Sequence, residues 1–248
     1  MGAIKKKIYL DNNVWVDIEY GNFSRDLFKQ KKVEYFFSDN IIEELLEASG
    51  NVKVSSSKRL ELIDYLCGNN FILTGALDCL DLSVKHTAFE RFNELSKPLF
   101  RCMYNCVRQA EYKADHLDRK KLQDLFGVNK IEMNNKKPQT ILNEIDLLFK
   151  KVNINGIDDY LSRCEAQGRT VYTTLFNLLD YLGYRSDKKT ERSAIARLAD
   201  ASHAYSAQAC DYLITNDKRM IEKTKAVYSY LNVKTKVVNP TDFLNEKM

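Results

Sequence analysis

Two hydrophobic periods run along the chain. Short apolar, partly β-branched runs mark strands at residues 7–10, 33–37, 69–74, 212–215 and 235–238. Elsewhere apolar residues recur every three or four positions, which predicts helices. These cover 14–20, a segment opening at Ser38 or Asp39, and 58–67, 86–95 and 98–126. They continue over 140–152, 157–166, 171–182, 201–209 and 218–226. In the stretch 140–152, Ile141, Ile145, Leu148 and Phe149 share a face; in 171–182, Val171, Leu175, Leu178, Leu179 and Leu182 share another. Residues 49–57 read as a loop or short strand, 75–83 fit neither period, and the asparagine-rich 129–137 read as a loop. A terminal helix opens at Asn239-Pro240-Thr241-Asp242, with Asp242 capping it or in its first turn. Strands early and late with helices between them predict an α/β fold.

The acids fall at strand ends. Asp11 closes the strand 7–10, and Asp217 lies just past 212–215. In open α/β sheets, sites form beyond the carboxyl ends of the strands. The stretch from Asp200 to Asp217 reads as a short helix followed by a buried strand, with a carboxylate at each outer end. About nine helical residues travel ~14 Å, and five or six strand residues travel ~16–20 Å. Asp217 is therefore expected back near the level of Asp200, and two carboxylates at one sheet edge suit a hard divalent cation. After the strand 33–37, Ser38 or Asp39 caps a helix whose first turns carry Glu43 and Glu44. Ile41, Ile42, Leu45 and Leu46 form its apolar face, and both glutamates flank that face, so periodicity does not choose between them.

Ile8-Tyr9-Leu10-Asp11-Asn12, Ser38 with Glu44 six residues on, Asp200-x-x-His203 and Cys210-Asp211-Tyr212-Leu213-Ile214-Thr215-Asn216-Asp217-Lys218 together resemble the four-acid pattern of PIN-domain nucleases, the VapC-like family among them. The resemblance covers residues 4–48 and 195–245, a discontinuous core, and leaves 49–194 as a mostly helical insertion. It implies a three-layer α/β/α fold around a central, mostly parallel sheet. It implies that Asp11, Glu44, Asp200 and Asp217 hold Mg²⁺ or Mn²⁺, with Thr215, Asn12 and Ser38 supporting them. The implied activity is endoribonucleolytic hydrolysis of phosphodiester bonds. The spacing from Ser38 in the family pattern favours Glu44 over Glu43.

Composition bounds the rest. The chain has 248 residues, 44% of them hydrophobic, enough for a proper core. No apolar run approaches the ~20 residues of a membrane span, and the basic start at Lys5-Lys6-Lys7 has no long apolar region behind it, so no signal peptide is expected. The six cysteines are scattered; Cys102 and Cys106 fit adjacent helical turns but have no second pair at ligand spacing, which predicts reduced thiols in the cytoplasm and no zinc site. The net charge of +4 permits nucleic-acid binding without arguing for it. Residues 101–137 hold nine Lys/Arg against five Asp/Glu, densest at Arg119-Lys120-Lys121, and the bland account is a solvated helix face; Arg101, Arg108 and Lys113 are the candidates for touching a phosphate backbone. Arg185, Lys188, Lys189 and Arg192, just before the acidic helix, are the better candidates for steering RNA.

Asn12-Asn13 can cap the helix 14–20, and Asp11 taken alone has the same plain role; Asp200 has one as an N-terminal helix residue and Asp217 as a cap for the helix 218–226, while His203 reads as a packed helix residue, Asp211 as a turn residue and Trp15 as core. A haloacid-dehalogenase-like phosphatase wants a second Asp where Asn13 stands. A flap-endonuclease-like DNA nuclease carries more acids. A non-catalytic PIN scaffold binding RNA or a protein through the insertion is the reading from another class. DNA in place of RNA, an antitoxin or other protein partner, a defence role and a homodimer all stay open.

Overall fold

The computed structural model describes residues 5–49, 56–74, 79–114, 119–167, 169–186 and 190–246. In chain order the elements are β1 (Lys7–Leu10), α1 (Asn12–Glu19), α2 (Arg25–Gln30), β2 (Glu34–Ser38), α3 (Asp39–Ser49), α4 (Ser56–Cys67), β3 (Phe71–Thr74), β4 (Leu80–Asp81) and α5 (Ala88–Leu95). Then come α6 (Pro98–Ala114), α7 (Arg119–Phe126), α8 (Lys130–Asn134), α9 (Pro138–Lys151), α10 (Ile157–Glu165), α11 (Val171–Tyr181) and α12 (Glu191–Ala207). The chain closes with β5 (Tyr212–Ile214), α13 (Lys218–Tyr230), β6 (Lys236–Val238) and α14 (Pro240–Asn245).

Among the described residues six strands form one sheet in the order β4-β3-β2-β1-β5-β6. All neighbours are parallel except β3 and β4. β1 is the pivot. Ile8 pairs with Tyr35 of β2 on one side and with Tyr212 of β5 on the other. The chain leaves β1 towards β2 and β3, then returns on the opposite side through β5 and β6. Ile8, Tyr9 and Leu10 are fully buried, as suits a strand covered on both faces.

The fold divides into two compact units. One holds Met1–Asn105, Ser206–Asp217 and Thr235–Met248, and with them the whole sheet; the other holds Cys106–Tyr205 and Lys218–Lys234 and is helical. The sheet therefore extends past residue 48, through β3 and β4. In the helical unit α13 packs on α9 and α11, and Phe126 stacks on Phe149 with ring centroids 5.0 Å apart. No helix among the described residues is long and apolar enough to cross a membrane.

Three local expectations need correction, and one helix is new. Asp11, not Asn12 or Asn13, caps α1: its side chain accepts a hydrogen bond from the Asn12 amide. The helix carrying Asp200 begins at Glu191, so Asp200 sits in its interior and not at an outer end. Residues 191–200 are mostly good helix formers without a Gly or Pro, so nothing local stops the helix short of Glu191. A short helix, α2, capped by the Ser24 side chain, lies between α1 and β2. Another, α8, stands in the segment read as a loop, capped by Asn129, whose side chain accepts from the Glu132 amide. Both are too short to show a period, and only Phe28 of α2 and Met133 of α8 are buried.

Candidate functional site

The three parallel strands β2, β1 and β5 end at the same edge of the sheet, at Ser38, Leu10 and Ile214. Because the chain turns to opposite sides from β1, the boundary between β1 and β5 is a topological switch point, where the loops part and leave a crevice. Asp11 stands there. Its backbone amide continues the ladder, donating to the Ile214 carbonyl at 2.9 Å, while the residue as a whole is only 5% exposed.

Neutral donors reach that buried carboxylate. Oδ1 accepts from the Asn12 amide at 2.8 Å, and Oδ2 accepts from the Thr215 hydroxyl at 2.7 Å and from Asn13 Nδ2. Hydrogen bonds of this kind offset the cost of burying a carboxylate and fix the direction of its lone pairs. The Thr215 oxygen also accepts from the Asp217 amide at 3.1 Å and from Asn13 Nδ2 at 2.9 Å. Asn13 Oδ1 accepts from the Asn216 amide at 3.0 Å, and Asn216 Nδ2 donates to Asp17. The loop Thr215-Asn216-Asp217 is thus stitched to the start of α1, and Asp217 is exposed beside buried Asp11.

The supporting residues divide. Thr215 takes the expected place against Asp11. Ser38 is fully buried, its hydroxyl 2.7 Å from that of Tyr9 across β1 and β2. Asn12 supports Asp11 through its backbone, while its side chain accepts from Arg59 at 3.4 Å. Arg59, almost wholly buried, pairs with Glu19 at 2.6 Å and so ties α4 to α1 behind the site. Trp15 is fully buried and donates from its indole nitrogen to the Leu10 carbonyl at 3.0 Å; it packs under the edge and offers no ring to a base.

On α3, Ile41, Ile42, Leu45 and Leu46 are buried as their spacing predicts, and Glu43 and Glu44 are both half-buried. Both bear on Tyr104 of α6. Burial first, then the Glu43 and Glu44 carboxylates, push its phenol well above the ordinary value. Asp200 belongs to the helical unit, as does His203, which is buried. Asp211 accepts from the Lys7 amide at 2.8 Å and anchors the turn before β5. Asp242 lies in the first turn of α14, its amide donating to the Asn239 cap. Of the basic candidates, Arg185 and Arg192 are described, while Lys188 and Lys189 lie outside the described residues. The side chains of Arg108 and Lys113 lie outside them as well.

The donors at the sheet edge are carboxylate, hydroxyl and amide oxygens, the set a hard divalent cation prefers. Asp11 and Asp217 supply the acids there. Among the described residues no three His, Cys, Asp or Glu side chains are gathered as a metal-holding group. Sequence reasoning missed Asn13, which bridges Asp11, Thr215 and Asn216, and Arg59. Asn13 had a visible signal, an amide two residues past a strand-end acid; Arg59 had none. Comparison with models of known families, with curated proteins and with solved structures found no match to the chain.

Proposed function

We propose that the chain is a metal-dependent endoribonuclease with a PIN-like α/β/α core, working at the carboxyl edge of β2, β1 and β5. One observation carries the reading: Asp11, at the switch point, is stitched through Thr215 to the loop that bears Asp217. Asp11 and Asp217 are the residues that would hold Mg²⁺ or Mn²⁺, with Glu44 as a further acid of the set. When bound, the metal supplies a water of lowered pKa and offsets charge on the leaving oxygen. Thr215 and Asn13 keep the Asp11 carboxylate aimed. No protein nucleophile is required. RNA is the substrate in this reading, DNA its alternative. The six free thiols fit a cytoplasmic setting, and a toxin or defence role, with or without an antitoxin, is compatible with it.

The test is cleavage of labelled single-stranded RNA and DNA with Mn²⁺, wild type beside Asp11→Asn and Asp217→Asn. Loss of cleavage by about a thousandfold or more in both folded variants is expected. Full activity of both variants sinks the proposal. A second reading, a non-catalytic scaffold, is favoured by the absence of a gathered three-acid group among the described residues. It predicts no cleavage by wild type and no metal binding by calorimetry.

A further inference from the structure

We propose that a basic cavity in the helical unit binds the phosphate of a nucleotide. The cavity, of about 430 Å³, is lined by Arg185, Lys218, Arg219, Ile221 and Glu222. Its volume falls in the range of small-ligand sites, roughly 300–1,000 Å³. Among the described residues three cations and one carboxylate line it, so that lining carries a net positive charge. An anion with several acceptor oxygens is the complement of such walls.

The cations are not placed for the benefit of the helix that carries two of them. Lys218 and Arg219 open α13, whose first turn has no acid. A helix N-terminus disfavours positive side chains, because its own unpaired amides already present partial positive charge. The third cation comes from elsewhere. The Arg185 amide donates to Asn134 Oδ1 at 2.6 Å, which pins the residue with φ 48°, in the left-handed region. Its guanidinium lies 5.7 Å from the centre of the Tyr184 ring and 3.6 Å from Glu222, an ion pair too long for a good hydrogen bond. A planar fork, backed by an aromatic ring and loosely paired with one carboxylate, is suited to taking two phosphate oxygens at once. Ile221 supplies an apolar wall beside them.

The nucleotide is a segment of the substrate strand or a free phosphate compound. Lys218 follows the candidate acid Asp217 directly in the chain, which favours the strand. In that respect the proposal rests on the nuclease reading, though the charge chemistry of the cavity does not.

The experiment uses the full chain in EDTA, so that no cleavage intervenes. Binding of a short labelled single-stranded RNA is followed by anisotropy across a range of salt. Wild type is compared with Arg185→Gln/Lys218→Gln/Arg219→Gln and with Glu222→Gln, all shown folded by circular dichroism. The triple variant is expected to bind at least about tenfold more weakly, with a salt slope shallower by about 1–2. Glu222→Gln is expected to bind more tightly, a direction that misfolding does not produce. Inorganic pyrophosphate is titrated in parallel. Loss of pyrophosphate binding in the triple variant with RNA binding intact keeps the phosphate site and assigns it a free ligand. Unchanged affinity of the triple variant for both overturns the proposal. A wild type that cleaves nothing with Mn²⁺ but shows the triple-variant effect loses the nuclease reading and keeps the phosphate site.

Discussion

Two buried carboxylates in this protein differ in the donors that reach them. Asp11, in the sheet unit, takes hydrogen bonds from an amide, a hydroxyl and a side-chain amide, all neutral. Asp180, in the helical unit, is fully buried and pairs with three cations: Arg119 at 2.6 Å, Arg197 at 3.0 Å and Lys223 at 3.4 Å. Arg197 also donates to Asn177, and Lys223 is itself fully buried. Neutral donors fix a carboxylate's direction without cancelling its charge. Cations cancel it and lock three elements, α7, α12 and α13, onto α11. The first arrangement suits a group that acts on something else. The second suits a group whose work is internal.

The contrast predicts opposite mutational profiles. Asp180→Asn leaves buried cations facing an amide, and removing one partner of a buried pair costs about 3–5 kcal/mol. A large fall in urea midpoint is expected, with cleavage per folded molecule nearly unchanged. Asp11→Asn keeps an oxygen to accept from its neutral donors, so its stability should move by only about 1 kcal/mol, while activity is lost. Urea unfolding of the two variants side by side checks this. Equal losses of stability would break the comparison.

A smaller effect tests the stitching itself. One oxygen of Thr215 donates to Asp11 and accepts from the Asp217 amide and Asn13. Thr215→Val keeps the shape and removes all three bonds. A cost of about 1–3 kcal/mol is expected, with cleavage down by about a hundredfold through misaimed acids. Thr215→Ser should restore most of both. If the valine variant cleaves at the wild-type rate, Thr215 only holds the loop and does not aim the acid.

Much of this edge was legible in the chain because strand ends carry local signals. Asp11 closes the strand 7–10, and Asp217 lies two residues past the run 212–215. That both ends share one edge was also readable, since parallel strands separated by helices must end on the same side. The switch point was not readable, because it depends on β5 choosing β1 as its neighbour, a long-range pairing. The place of Asp200 was misjudged for a local reason: the unbroken helix-forming run from Glu191 hid where the helix starts. The Asp180 cluster had no signal at all. Its cations come from positions 119, 197 and 223, and each alone reads as a solvated charge.

Periodicity also left Glu43 and Glu44 unresolved, and Tyr104 offers a way to separate them. Burial is the largest cause of its raised phenol pKa, followed by Glu43 and then Glu44. The neutral phenol is the form the fold accepts. Its contribution to stability is therefore complete below the ordinary value of 10.0 and is lost as pH rises towards the shifted one. An alkaline difference titration of wild type against Tyr104→Phe isolates this ring from the other tyrosines. Glu43→Gln should bring the phenol down slightly more than Glu44→Gln, since the Glu43 charge opposes its ionisation more strongly. The same two variants assayed for cleavage then assign the roles. If Glu44→Gln abolishes activity while Glu43→Gln moves mainly the titration, Glu44 serves the edge and Glu43 serves the packing against Tyr104. The reverse result exchanges the two glutamates and removes the spacing from Ser38 as a guide.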